Sequence, residues 1–156
     1  MRLNYFCPYH VDKIRQCENT AAQWWNELMK RGLVAYNECR LEAADIFMKS
    51  ALSLSLLRYS EPNNHWLTSI HITKPAEFLV EMHISEQQYD AAIQLLSQIS
   101  NDTWPFVSDF EEKITEFLAV QYERIESLEK SYMNANQTLG SNLLKLVGSN
   151  TGHSLH

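Results

Sequence analysis

The sequence has little glycine outside its C-terminal end. Only four glycines occur in 156 residues, and three of them, Gly140, Gly148 and Gly152, lie within the last seventeen positions. The rest of the chain therefore contains Gly32 alone. Because β-rich folds use glycine in many of their tight turns, this scarcity disfavours a hairpin-rich sheet and favours a helical body.

The chain also lacks an excess of positive charge and any long apolar run. It carries 13 basic and 19 acidic residues, for a formal net charge of −6. An acidic chain repels phosphate backbones and anionic lipid, so we expect neither nucleic acid nor membrane as a partner. No run approaches the roughly 20 apolar residues that span a bilayer. The opening "MRLNYFCPYH" does not resemble a signal peptide, so we expect a cytoplasmic protein.

Cysteine is scarce and odd in number, which favours reduced thiols over a disulfide framework. Cys7 and His10 have a Cys-x2-His spacing that suits metal ligands, and Cys17 is the nearest further candidate. Cys39 or His71 would have to complete a tetrahedral zinc site. Structural zinc sites usually show two paired ligand motifs, and this chain has one. We therefore predict no bound metal, and a zinc-stabilised sensor domain is the alternative.

The sequence offers little support for catalysis. It has no glycine-rich phosphate loop, and its single body glycine leaves no loop suited to stabilising an oxyanion. The glutamates near the C-terminal third alternate with Lys113, Arg124 and Lys130, as on a solvated helix face. We predict no catalytic residue and no cofactor, so the protein is not expected to be an enzyme.

Apolar residues recur every three or four positions through most of the chain, which predicts an all-α fold. We expect helices over about residues 19–37, 41–59, 65–84, 86–99 and 107–133. The third of these is predicted to kink or restart near Thr73, because Pro75 follows. Short loops make consecutive helices antiparallel hairpins, and the last helix caps them. Residues 1–18 are predicted as an irregular or short-helical lead-in, 19–133 as one helical domain and 134–156 as a flexible tail.

Small residues occur where two of the predicted helices would meet. Gly32, Ala44 and Ala51 let two helix backbones approach closely. This pattern resembles the tetratricopeptide repeat, a helix–turn–helix unit of about 34 residues. The segment "YDAAIQLLSQI" matches the second half of the motif, with Tyr89 and Ala92 aligned to Leu41 and Ala44. The resemblance implies about two units.

Repeats of this family hold a peptide or helix of another protein against their first helices. The resemblance therefore implies an adaptor whose partner-binding residues are Asn26, Met29, Leu33, Tyr36 and Asn37 in the first unit, and Lys74, Glu77 and Glu81 in the second. The basic clamp for a terminal carboxylate is missing, which favours an amphipathic partner segment. The alternative is that these side chains are buried inside the protein. The apolar stripe of the last helix is a candidate surface for a homodimer.

Overall fold

A computed structural model describes residues 6–62, 64–103 and 109–153, with side chains described as far as residue 148. These residues form six α-helices and no strand, which confirms the all-α prediction. The helices are α1 (Pro8–Gln16), α2 (Glu18–Asn37), α3 (Leu41–Tyr59), α4 (Ser69–Ser85), α5 (Tyr89–Asp102) and α6 (Asp109–His153). The chain divides into two compact units, residues 1–122 and 123–156.

The two helix hairpins, α2–α3 and α4–α5, are closed by the same turn. Each turn has three residues, and its middle residue is left-handed: Cys39 and Gln87 both have φ 58°. In both turns the next residue donates its backbone N–H to the carbonyl five residues earlier, at 2.8 Å. Non-glycine residues rarely adopt this conformation. The same turn occurs twice, 48 positions apart, so the two hairpins have the same connection. This spacing agrees with the alignment of Tyr89 to Leu41.

The first hairpin packs closely at the small residues that the sequence singles out. A Cβ atom added to Gly32 would lie 2.9 Å from Met48 Cε and 3.3 Å from Phe47 Cβ, so α3 packs closely against the backbone at this glycine. Ala44 and Ala51 are fully buried in α3. The predicted close approach of paired helices is therefore confirmed for α2 and α3.

The lead-in segment contributes a helix to the core of the first unit. Pro8 stands in the first turn of α1, where its missing N–H is no loss. Ile14 has no exposed surface and clusters with Ala21 of α2 and Leu54 of α3. Helix α1 therefore belongs to the packed body, in which it buries Ile14.

A buried arginine holds the C-terminal end of α1. Arg58 of α3 is only 3% exposed. Its Nη1 atom donates to the backbone carbonyls of Ile14, at 3.4 Å, and Arg15, while Nε and Nη2 donate to Asn64 Oδ1 at 3.1 and 2.7 Å. The last carbonyls of a helix lack partners within it and carry partial negative charge. Arg58 therefore caps α1 with a positive charge and satisfies its own donors.

Helix α4 begins at Ser69, about four residues after its predicted start near residue 65, and it is continuous to Ser85. The predicted restart near Thr73 is therefore wrong, while a kink at Pro75 stays a prediction. Thr68 is its N-cap, and the backbone N–H of Thr68 donates to Nδ1 of His71 at 2.9 Å. This reciprocal cap fixes the start of the helix at Ser69.

Pro75 lies inside α4 because other helices replace the hydrogen bond that it cannot make. A proline has no N–H, so the carbonyl four residues earlier, that of His71, is left without its helical donor. That carbonyl accepts a hydrogen bond from Trp25 Nε1 at 3.1 Å and another from Ser55 Oγ at 2.7 Å. Side chains of α2 and α3 therefore satisfy the backbone of α4.

Helix α6 extends beyond its predicted end. The pattern predicts a helix from about Val107 to Met133; the start lies outside the described residues, and the helix continues to His153. The predicted end is therefore wrong, while the prediction of a long C-terminal helix is confirmed. The flexibility predicted for residues 134–156 stays a prediction.

The first turns of α6 belong to the first unit and pack against α3 and α5. Tyr59 OH lies 2.7 Å from Glu111 Oε1, and its ring stacks on Phe110 with centroids 5.4 Å apart. Burial, reinforced by the Glu111 carboxylate, raises the pKa of Tyr59 to about 12. Ser97 and Tyr122 share a hydrogen bond of 3.0 Å between their hydroxyls. The hydroxyl of Tyr59 therefore stays protonated and ties α3 to α6.

Candidate functional site

Helices α2 and α4 lie side by side and run in the same direction. Near their N-terminal ends, the rings of Trp25 and His71 have centroids 4.6 Å apart. Nearer their C-terminal ends, the rings of Tyr36 and Phe78 have centroids 5.3 Å apart. Because both contacts advance together along the two helices, the helices are parallel, as first helices of successive hairpins should be.

A joint surface lies beside these ring contacts. On α2, residues 26, 33 and 37 fall about 100° around the helix from the α4-facing side, and residues 70, 74 and 77 fall on the corresponding side of α4. Since the helices are parallel, both flanks open in one direction. We call this surface the α2–α4 face; it consists of Asn26, Leu33, Tyr36, Asn37, Ile70, Lys74, Glu77 and Phe78.

Four of the five residues that the resemblance assigns to α2 are accessible on this surface. Asn26, Leu33 and Asn37 are exposed, and Tyr36 is half-buried against the neighbouring ring. Met29 is the exception: it is 5% exposed and belongs to the core. It lies on the side of α2 that packs against α4, so its assignment to a partner-binding surface is corrected to a packing role.

The predicted α4 residues lie on the outer side of that helix. Lys74 and Glu77 are exposed and form an ion pair, with 3.3 Å between Nζ and Oε2. The Lys74 ammonium also lies 5.4 Å from the ring centroid of Phe78. Glu81 is partly exposed one turn further on. An exposed pair of this kind adds little stability, so its effect is to balance the charge at the edge of the α2–α4 face.

The resemblance misses two apolar residues of the α2–α4 face. Phe78 forms the ring contact with Tyr36, and Ile70 is 61% exposed. Helical spacing holds a signal for Ile70, since it precedes Lys74 and Glu77 by four and seven positions on the same side of α4. Phe78 is recognisable only once α2 is known to lie next to α4.

His71 is part of the packing between α2 and α4. Its ring centroid lies 4.1 Å from that of Trp66 and 4.6 Å from that of Trp25. Burial lowers the pKa of His71, so the imidazole is neutral at neutral pH. Its Nδ1 atom accepts the hydrogen bond from Thr68. These contacts give His71 a structural role.

The cysteine candidates for a metal site do not come together. Cys7 Sγ lies 2.9 Å from His10 Nδ1, but these two residues stand at the N-terminal end of α1. Cys17 caps the other end, roughly 15 Å away along the helix. A hydrogen bond with Thr20 is the main reason that the pKa of Cys17 is lowered. Among the described residues, no group of three or more His, Cys, Asp or Glu side chains could hold a metal ion.

Comparisons with known proteins add no information about the function. No protein-family model, no curated protein and no solved structure matches this chain. In the part of the chain that the structure describes, no helix has the length and apolar character needed to cross a membrane.

Proposed function

We propose that this protein is an adaptor that binds a peptide or helix of a partner protein through the α2–α4 face. The observation that carries the proposal is the parallel pair of helices, whose shared outer side exposes apolar side chains between polar ones. Leu33 is 36% exposed and Ile70 is 61% exposed. Exposed apolar residues on one surface, with polar residues around them, are typical of interaction sites.

We further propose that residues 19–102 form two tetratricopeptide-like units. The identical turns at Cys39 and Gln87 support this, because they place the second hairpin in the register of the first. The buried Gly32 and Ala44 support it for the first unit. In the second unit Val80 replaces the glycine, and it is buried without any exposed surface. The second hairpin therefore accommodates a larger side chain at this position.

The chemistry of the α2–α4 face favours an amphipathic partner segment. Leu33 and Ile70 supply apolar contacts, and the ring pair of Tyr36 and Phe78 lies toward the C-terminal ends of the two helices. The amides of the surface donate and accept hydrogen bonds, while Lys74 and Glu77 form an ion pair. A helix with one apolar side and polar edges of either sign matches this arrangement. A strongly charged peptide does not.

Two substitutions and a matched control test the proposal. Leu33→Asp and Ile70→Asp place a charge in the α2–α4 face, whereas Ile46→Asp places one at a 52% exposed position of α3 outside it. The partner is first captured from the source cells with the tagged full chain and identified by mass spectrometry. Its affinity for each purified variant is then measured by calorimetry, with circular dichroism to verify folding.

We expect both face variants to bind the partner at least about tenfold more weakly, a loss of about 1.4 kcal/mol. Ile46→Asp should bind as tightly as the unmodified chain. The proposal fails if the face variants keep full affinity. It also fails if the α3 control loses as much affinity as they do.

A further inference from the structure

Helix α6 has one apolar side along most of its length, and this side changes from buried to exposed. In the first unit Ile114 is fully buried and Leu118 is 5% exposed. In the second unit Leu139, Leu143 and Leu146 continue the spacing of three and four, and they are 60%, 62% and 63% exposed. Between residues 131 and 148, every residue except the partly exposed Gly140 is exposed.

The exposed part of α6 differs in charge from the rest of the protein. All 19 acidic residues precede residue 134, and Lys145 is the only basic residue after it, in a chain whose net charge is −6. The polar positions are mostly Ser, Thr and Asn, which form helices poorly. A helix of this composition is marginal in water by itself, so burial of its leucines is the force available to stabilise it.

A second copy of the chain is a poor occupant for this surface. Leu144 and Val147 adjoin the leucine stripe and are 75% and 60% exposed. The segment lacks the flanking charges that direct coiled-coil pairing, so nothing in it specifies the register of a second copy.

We propose that residues 131–148 bind a lipid surface, with the helix lying in the plane of the membrane and its leucines between the lipids. An amphipathic helix binds there by placing its apolar side in the boundary between headgroups and acyl chains. With one lysine and no acidic residue, the helix gains from apolar burial and not from anionic lipid. It therefore prefers strongly curved membranes, whose outer leaflet exposes acyl chains. The acidic net charge of the whole chain disfavours membranes, so the overall composition does not reveal this segment.

Vesicle flotation of the full chain tests the proposal. The probes are small and large vesicles of phosphatidylcholine, and large vesicles that also contain phosphatidylserine. Leu143→Glu disrupts the apolar side. Ser141→Glu is the matched control, because it adds the same charge to an exposed position about 200° around the helix. Thermal unfolding of both variants verifies that the helical body is unchanged.

We expect the chain to float with small phosphatidylcholine vesicles, more strongly than with large ones, and independently of salt. Leu143→Glu should bind at least about tenfold more weakly, while Ser141→Glu binds as the unmodified chain does. Absence of flotation with every vesicle overturns the proposal, and so does binding that requires phosphatidylserine and disappears in salt. An equal loss in both variants also contradicts it. If sedimentation equilibrium finds a dimer that Leu143→Glu dissociates, and nothing floats, a second copy occupies the surface instead.

Discussion

We expect Ser55→Ala to destabilise the protein by about 1–2 kcal/mol, because the hydroxyl of Ser55 replaces a helix bond that Pro75 cannot make. Ser55 has no exposed surface, and its Oγ atom donates to the His71 carbonyl at 2.7 Å. Trp25 Nε1 is the second donor, at 3.1 Å. Losing one of two donors in a buried site costs a hydrogen bond and part of the desolvation of the carbonyl. The estimate adds these two contributions.

The decisive measurement is a double-mutant cycle with Pro75→Ala. That substitution restores a backbone N–H at position 75, which then donates to the His71 carbonyl within α4. In the Pro75→Ala background, Ser55→Ala should therefore cost less than about 0.5 kcal/mol, which gives a coupling free energy of about 1 kcal/mol. The packing lost with the proline ring is the same whether or not Ser55 is substituted, so it does not contribute to the coupling free energy.

Urea unfolding, followed by tryptophan fluorescence and far-UV circular dichroism, supplies the four free energies. Ser50→Ala is the control, since Ser50 is 6% exposed on the same helix but donates to the Ile46 carbonyl of α3 itself, at 2.8 Å. Its substitution should not couple to Pro75. A coupling between Ser55 and Pro75 below about 0.3 kcal/mol, within the range of independent sites, would refute the reasoning.

Two further substitutions test the packing of α1 and α3 in the same unfolding assay. Arg58→Ala removes the charged donor to the carbonyls of Ile14 and Arg15 and to the amide oxygen of Asn64, and it should cost about 3–5 kcal/mol. Arg15→Ala, which removes an exposed ion pair with Glu61, should cost less than about 1 kcal/mol. Comparable costs would show that Arg58 does not cap α1. Gly32→Leu should cost at least about 2 kcal/mol, because the side chain meets Met48 and Phe47. In Gly32→Ala, the gain of about 1 kcal/mol in helix propensity offsets the smaller clash. Equal stability of the two variants would contradict the packing argument.

The helices that form hairpins could be predicted from the sequence because their signals are local. The predicted bounds of α3 agree with Leu41–Tyr59, and the predicted start of α2 differs by one residue from Glu18. Apolar spacing defines these helices, and the small residues at Gly32 and Ala44 predict which sides meet. The left-handed positions of the two hairpin turns are Cys39 and Gln87, and neither is a glycine. The sequence therefore does not reveal that the same turn occurs twice.

The errors arise where distant residues decide the local structure. Pro75 predicts a break by the rules of an isolated helix, but the donors to the His71 carbonyl come from Trp25 and Ser55, 46 and 16 positions away from it. No pattern within α4 contains that information. The end predicted for α6 at Met133 fails for a related reason, since poor helix formers follow without any proline to stop the helix.

The candidate site could be predicted in part. The resemblance to the tetratricopeptide repeat places Leu33 and Lys74 on the outer side of the first helices, where the structure exposes them. It does not determine how far α4 covers α2, so it includes Met29, one turn from Leu33, although Met29 is 5% exposed. Ile70 completes the α2–α4 face, but the resemblance does not include it. Its place on this face depends on how α2 and α4 pack side by side.

The cap on α1 also orders events during protein synthesis. Helix α1 is translated early, but the guanidinium that satisfies the carbonyls of Ile14 and Arg15 belongs to a residue 44 and 43 positions later. Asn64, which holds that guanidinium in place, follows six positions after Arg58. A nascent chain that stops before Arg58 therefore has an N-terminal helix whose last carbonyls can bond only to water. The arginine cap can form only after the ribosome has released the end of α3.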